Sequence, residues 1–268
     1  MVEKTMNGEL PKISEDNRKY KFTDESITIE INGEKHTLYR IMATKDIVSK
    51  YGTVIAKKGD LGGFIEKEDN LDYHSNAWVS GNAMVFGKAE VSDYAVVSGN
   101  AEVYDYAWVH GNARISGNAM VFGKAEVSGN AEVSDYAMVY GEATITDYAW
   151  AYGYARVFGM VSVSDNAEVY GNAEVYDDAE VYGDAKVYGD AKVYGYARVF
   201  GYARVFDKAK VYGYAKVYEG VWVFDNAEVS GKAEVSGALV HGKAAITEGK
   251  WTHGDITEVN CVKEAKRP

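Results

Sequence analysis

From Ala77 to Ala233 a small apolar residue recurs at every sixth position, 27 times in succession and without one insertion. It is alanine everywhere except at Val161 and Val221. The unit reads A-x-V-y-[GD]-z, as in AEVYGN, AMVFGK and ARVFGY. Alanine and valine two residues apart share one side of an extended strand, while x projects to the other. The Gly or Asp that follows tolerates the backbone conformations a tight turn demands. One strand-plus-turn of this length cannot bury its apolar side alone. Three units closing a triangle make an 18-residue coil, and stacked coils bury a continuous Ala/Val core. The tract holds nine such coils, which at about 4.8 Å each predict a prism roughly 43 Å long. Each inward valine contributes roughly 1.5–3 kcal/mol when fully buried.

The phase slips once, at SGALVHGKA, where only Gly237 separates Ser236 from Ala238. Two further units follow, at Ala238 and Ala244, and then EGKWTHGDITEVNCVKEAKRP loses the pattern. At the other end, KYKFTDESITIEINGEKHTLYRIMA reads as two strands around an Asn32-Gly33 hairpin turn. The expected organisation is a β-rich N-terminal cap over 1–70, a hexapeptide-repeat β-helix over 71–247 and a capping tail over 248–268. A tail is expected there because a bare coil edge invites pairing with another molecule. The two prolines, Pro11 and Pro268, lie outside the repeat.

The net charge of −11 disfavours nucleic acid and anionic membranes, whose affinities rest on neutralising phosphates. One cysteine, Cys261, excludes an internal disulfide and a cysteine zinc cluster, and reads as an incidental thiol. The polar start MVEKTMNGELPK lacks the apolar core of a signal peptide, and no apolar run reaches membrane-spanning length. A cytoplasmic protein is therefore expected.

The unit is similar to that of the hexapeptide-repeat superfamily, whose left-handed parallel β-helix carries many acyltransferases. Periodicity predicts a triangular solenoid; left-handedness is what the resemblance implies. One departure is that the familiar acyltransferase hexapeptide puts glycine directly after the aliphatic residue, where this chain has Ser, Tyr or Phe. The segment from Tyr39 to Val79 resembles the head of a bacterial and phage group typified by YdcK-like hexapeptide proteins. The matching residues are Arg40, Ala43, Asp46, Val54, Gly59, Gly62-Gly63-Phe64-Ile65 and Asn70-Leu71. The resemblance implies a fold and little established function, so two functions from different classes are weighed. One is a non-catalytic binding scaffold of bacterial or phage origin, with inhibition of a host system as one such role. The other is an acyl-CoA-dependent acyltransferase.

Acyltransferases of this superfamily place a catalytic histidine near an acyl-CoA groove and commonly carry a loop that breaks the repeat. No loop breaks these 27 units. Of the five histidines, His110 alone lies deep in the tract, with His241 near its end. A general base needs an orienting partner and a pocket. The repeat predicts neither for His110, which remains a weak catalytic candidate. No two histidines lie close in sequence, so the resemblance to metal-binding carbonic-anhydrase-like members does not extend to their ligands, and no metal or cofactor is expected. Asp93, Asp105, Asp135, Asp147, Asp165 and Asp177 read as glycine substitutes in turns.

Residues 18 apart stack on one face. On the face of Ala83 the y column runs Phe86, Tyr104, Phe122, Tyr140, Phe158, Tyr176, Tyr194, Tyr212, and Met84, Met120 and Met138 stand in the neighbouring x column. An exposed strip of this length marks an interface. Self-association through it is expected, with another protein or simple stiffening by stacked rings as alternatives. Trp78, Trp150 and Trp222 share another face at four-coil spacing, about 19 Å, too far apart for one aromatic cage.

The run VYGDAKVYGDAKVYGYARVFGYARVF alternates cations with rings, like a nucleic-acid stripe. Folded into coils it becomes a belt: Lys186, Lys192 and Arg198 on three faces of one coil, and Arg204, Lys210 and Lys216 on the next. Each has an axial neighbour suited to pairing, namely Glu168, Glu174, Glu180, Trp222, Glu228 and Glu234. Lys186 over Arg204 is one of three like-charged contacts. Register-setting pairs and an anion or nucleotide site are the two readings of the belt.

Overall fold

The computed structural model describes residues 18–258 and 260–261. The chain divides into two compact units, one ending at Ser134 and the other beginning at Asp135. Among the described residues the only helical segment is one 3-10 turn, Glu68–Asn70. The rest of the ordered backbone is strand and turn: antiparallel strands in the head, and from Trp78 onward the parallel stacked strands of the β-helix expected from the repeat.

In the first unit β1 (Tyr20–Ile31) and β2 (Glu34–Ala43) form an antiparallel hairpin. Its turn is Asn32-Gly33, both left-handed at φ 53° and 84°, as a two-residue hairpin turn requires. β3 (Ile47–Val48) and β4 (Val54–Ala56) pair with each other. β5 (Leu61–Ile65) runs antiparallel to β2 and parallel to Met84–Val85, so it converts the hairpin's sheet into the solenoid's. From there two-residue strands repeat in parallel register on three faces. Met84 faces Glu102 and then Met120; Glu90 faces Trp108 and then Glu126; Trp78 faces Val96. The inward Ala and Val of every coil are buried, Val85, Val103 and Val121 completely.

Four of the residues carrying the family resemblance in the head, Arg40, Gly62, Gly63 and Asn70, are joints between cap and coil. A Cβ on Gly62 would sit 2.5 Å from Ile41 Cγ1 and 2.8 Å from the Val79 carbonyl. One on Gly63 would sit 2.5 Å from the Ala83 carbonyl. The close approach of β5 to the first coil therefore admits only glycine. The Arg40 guanidinium donates to the carbonyls of Gly62 and Gly81 and lies 4.1 Å over the Phe64 ring. Buried Asn70 donates to the Ala89 carbonyl and accepts from the Lys67 amide. Lys19, also buried, donates to the carbonyls of Ser75 and Ala77.

The hairpin does more than extend a sheet. Leu38, Phe64, Phe86 and Tyr104 form one buried cluster, with Ile27, Ile29, Ile31, Met84, Met120 and Phe122 packed against it. The outer half of the hairpin therefore lies over the apolar x and y residues of the first coils.

The second unit repeats the 18-residue register, for example Trp150 on Glu168 and Glu174 on Lys192. After Gly237 the partners draw closer in sequence: Trp222 pairs with Leu239, Glu234 with Lys250 and Leu239 with Asp255. Lys250–Trp251, Gly254–Ile256 and Asn260–Cys261 each add a strand to one of the three faces. Within the described residues the segment expected to cap the end thus continues the ladder. Parallel pairing uses backbone groups alone, so it survives the loss of the Ala/Val signature. The Cys261 thiol, Pro11, Pro268 and the first 17 residues lie outside the described side chains or residues.

All six expected turn aspartates take positive φ, from 58° to 62°, and Asp207 and Asp225 do so at 56° and 57°. They also have a second role. At this position Cβ points along the axis, and the carboxylate reaches the turn amide of the next coil. Asp93 Oδ2 accepts from Gly111 N at 2.9 Å, and Asp165 Oδ2 from Gly183 N at 2.9 Å. Aspartate therefore replaces glycine where its side chain satisfies an amide one coil away.

Candidate functional site

His110 has the orienting partners that the repeat does not predict. Its Nε2 lies 3.0 Å from Glu126 Oε1 and its Nδ1 3.8 Å from Asp93 Oδ2, and the ring stacks on Trp108 at 3.8 Å. These partners stand 16 and 17 residues away, diagonal to the column rather than along it, so an 18-residue reading misses them. His241 is held in the same way. Nε2 lies 2.6 Å from Asp255 Oδ1, Nδ1 3.7 Å from Asp225 Oδ2, and the ring stacks on Phe224 at 4.7 Å. Each imidazole thus bridges carboxylates of the coil before and the coil after, with both nitrogens facing an acid.

The aromatic face differs between the two units. In the first, Phe86, Tyr104 and Phe122 stack at 4.9 Å with planes within 4°. Phe86 is 1% exposed and Tyr104 6%, because the hairpin covers them. Burial pushes the Tyr104 phenol up to about 12, helped by the carboxylates of Glu102 and Asp105. Phe86 and Tyr104 therefore form no open contact surface, which corrects the expectation of an exposed strip at these two rungs, while Phe122, Met84 and Met120 stay half-buried against them. In the second unit Tyr140, Phe158, Tyr176, Tyr194 and Tyr212 stack at 4.8–5.1 Å and remain half-buried, as does Met138.

Two further ladders share that unit. Tyr152, Tyr170, Tyr188, Phe206, Phe224 and His241 form one, and Tyr182, Phe200 and Tyr218 another. All three faces therefore carry rings stacked along the axis, where the sequence reading singled out one. Of the tryptophans, Trp78 is 1% exposed beneath Gly62, and so cannot anchor a partner.

Every belt cation meets its expected neighbour. Lys186 reaches Glu168 at 2.7 Å, Lys192 reaches Glu174 at 2.8 Å, and Arg198 reaches Glu180 at 3.1 Å. On the next coil Lys210 reaches Glu228 at 3.0 Å and Lys216 reaches Glu234 at 2.9 Å, while the Arg204 guanidinium lies 5.1 Å over Trp222. The hydrogen bond from Lys216 holds the Glu234 carboxyl below its ordinary value. Lys186 on Arg204, Lys192 on Lys210 and Arg198 on Lys216 are the like-charged strand neighbours.

A cleft of about 220 Å³ lies between the hairpin tip and the first coils, lined by residues that include Ile31, Glu34, His36, Phe86, Lys88 and Tyr106. His36 Nδ1 lies 2.9 Å from Glu66 Oε1, and Glu66 Oε2 accepts from Gly87 N at 2.7 Å. Lys88 donates to the Tyr106 hydroxyl at 3.0 Å. His36 and Glu66 are far apart in sequence and outside the repeat, so no periodicity points to them. Among the described residues no group of His, Cys, Asp and Glu is arranged to hold a metal ion, and no helix is long and apolar enough to cross a membrane.

Three parallel faces, inward Ala and Val, and turns of left-handed Gly or Asp stacked coil on coil define a hexapeptide-repeat β-solenoid. Residues 113–129 match the family model of the YdcK beta solenoid repeat. The match and the solenoid together support a hexapeptide-repeat, YdcK-like β-helix family for this chain. No curated protein matches it in sequence.

Proposed function

We propose that this protein is a non-catalytic scaffold that presents the surface of a β-solenoid to another macromolecule. The observation that carries this reading is where the reactive side chains are used. Both solenoid imidazoles face carboxylates at each nitrogen, and all six belt cations pair along the axis. In the head, Arg40, Gly62, Gly63 and Asn70 serve as joints between cap and coil. What remains outward are large rings, among them Tyr148, Trp150 and Tyr154, the side chains that dominate protein contacts. A bacterial or phage setting, inhibition of a host system, a cytoplasmic location and self-association through Tyr140, Phe158 and Tyr176 belong to this proposal.

Acyl transfer is the second reading: Glu126 orients the His110 ring through Nε2 at 3.0 Å, while Nδ1, 3.8 Å from Asp93 Oδ2, makes no hydrogen bond to it. A carboxylate-oriented imidazole is what a general base requires. Thermal unfolding in increasing acetyl-CoA separates the two. The scaffold reading expects no saturable shift in melting temperature. A saturable shift that His110→Ala abolishes overturns it.

A further inference from the structure

Trp150 and Trp222 occupy equivalent outward positions four coils apart, and their surroundings differ. Trp222, 41% exposed, carries the Arg204 guanidinium 5.1 Å from its ring centre. Trp150 is 47% exposed, and among the described residues no cation lies on its ring. Its strand neighbour in the next coil is Glu168, whose carboxylate accepts from the Tyr152 hydroxyl and from Lys186.

The surface around Trp150 is aromatic and acidic. Tyr148 lies in the turn before its strand and Tyr154 in the turn after, both exposed, and exposed Tyr136 stacks on Tyr154 at 5.0 Å. Asp135, Asp147 and Asp165 are carried by turns of the same coils. Each uses Oδ2 to accept from a turn amide one coil on, at Gly153, Asp165 and Gly183. Their Oδ1 atoms have no protein partner among the described residues.

An indole face attracts a cation through its quadrupole, and carboxylates at its edges add to that field. Arginine fits better than lysine, because a planar guanidinium stacks on a ring while its edge bonds to carboxylates. The chain leans the same way internally: arginines lie on the rings of Tyr73, Phe64, Phe158 and Trp222, and a lysine, Lys88, on that of Tyr106.

We propose that the patch centred on Trp150 docks an arginine-bearing segment of a partner protein, with a guanidinium lying on Trp150 as Arg204 lies on Trp222. This rests on the scaffold reading and names the chemistry of its partner.

The test is a titration of the full chain with a glycine-spaced triple-arginine peptide, beside its lysine and glutamate counterparts. Binding is followed through the indole N–H signals in nuclear magnetic resonance, at an ionic strength of about 0.15 M. Trp150→Ala and Trp222→Ala keep the same net charge, so bulk electrostatic attraction is equal in both. The expected result is saturable binding of the arginine peptide that moves the Trp150 signal most. Trp150→Ala weakens it about tenfold, while Trp222→Ala binds as the parent does. Equal affinity of Trp150→Ala, equal affinity for the lysine peptide, or no movement of the Trp150 signal overturns the proposal. So does oligomerisation that Trp150→Ala abolishes without peptide binding, which assigns the patch to a second copy. None of these outcomes touches the scaffold reading, which falls to acyl transfer instead.

Discussion

Lys192 Nζ lies 2.8 Å from Oε2 of Glu174, its strand neighbour one coil earlier, and its hydrogen bond to that carboxylate raises the lysine's affinity for its proton. Glu174 holds a second cation from the other side, with Arg156 Nη1 3.2 Å from Oε1. One carboxylate thus separates cations that would otherwise adjoin along the column.

Glu174→Lys is therefore the most costly single change in the belt. It removes two pairs and sets a fourth positive charge between Arg156 on one side and Lys192 and Lys210 on the other. Exposed pairs contribute roughly 0–1 kcal/mol each, so the expected loss is about 1–2 kcal/mol. Glu180→Lys, which loses only Arg198, costs less. Lys186→Glu is close to neutral, because it trades attraction to Glu168 for attraction to Arg204. Urea unfolding at low salt checks the order, and about 1 M salt compresses it.

Glu102 stands between Met84 and Met120 on the face the hairpin covers. Burial raises its pKa above the ordinary 4.5. A carboxyl whose folded value is raised stabilises the fold fully below the unfolded value and loses that contribution as pH rises through the folded one. Glu102→Gln is thus expected to raise stability at about pH 7 and to change it little at about pH 4. Urea midpoints of both proteins at the two pH values check this.

Gly63→Ala is expected to detach the cap from the coil. Its Cβ would meet the Ala83 carbonyl at 2.5 Å and Val79 Cγ1 at 2.7 Å, both in the packed first coil. The expected cost is about 2 kcal/mol or more. Hydrogen exchange checks where it falls: protection is lost across β1 and β2 and kept in the later coils.

Self-association through Tyr140, Phe158 and Tyr176 predicts a concentration-dependent mass in light scattering. Phe158→Lys tests the face directly, since it puts a charge among the rings, leaves the inward Ala and Val untouched and should lower that mass. A monodisperse monomer at tens of micromolar ends this part of the proposal.

The solenoid, the stacked columns and all six belt pairs were legible because each depends on a fixed 18-residue offset. The roles of the turn aspartates were half legible: the left-handed conformation follows from residue type, but the bond from Asp93 to Gly111 N follows from the direction of Cβ in the folded turn. The clamps on His110 and His241 escaped because their acids lie diagonally across coils. The cover over Phe86 and Tyr104 escaped for a different reason. Ile27, Ile29 and Leu38 belong to a hairpin outside the repeat, and no period relates them to the face they bury. The cleft at His36 is missed on the same ground, since it exists only once that hairpin is laid over the coils.

The proposed scaffold requires that the imidazoles and cations of this solenoid serve structure and that no acyl group is transferred. The most direct measurement is the rate of free coenzyme A release from acetyl-CoA, offered with a panel of primary amines and alcohols, by the parent chain, His110→Ala and His241→Ala. The expected rate is that of buffer for all three. A parent rate above buffer that either substitution abolishes would contradict the account.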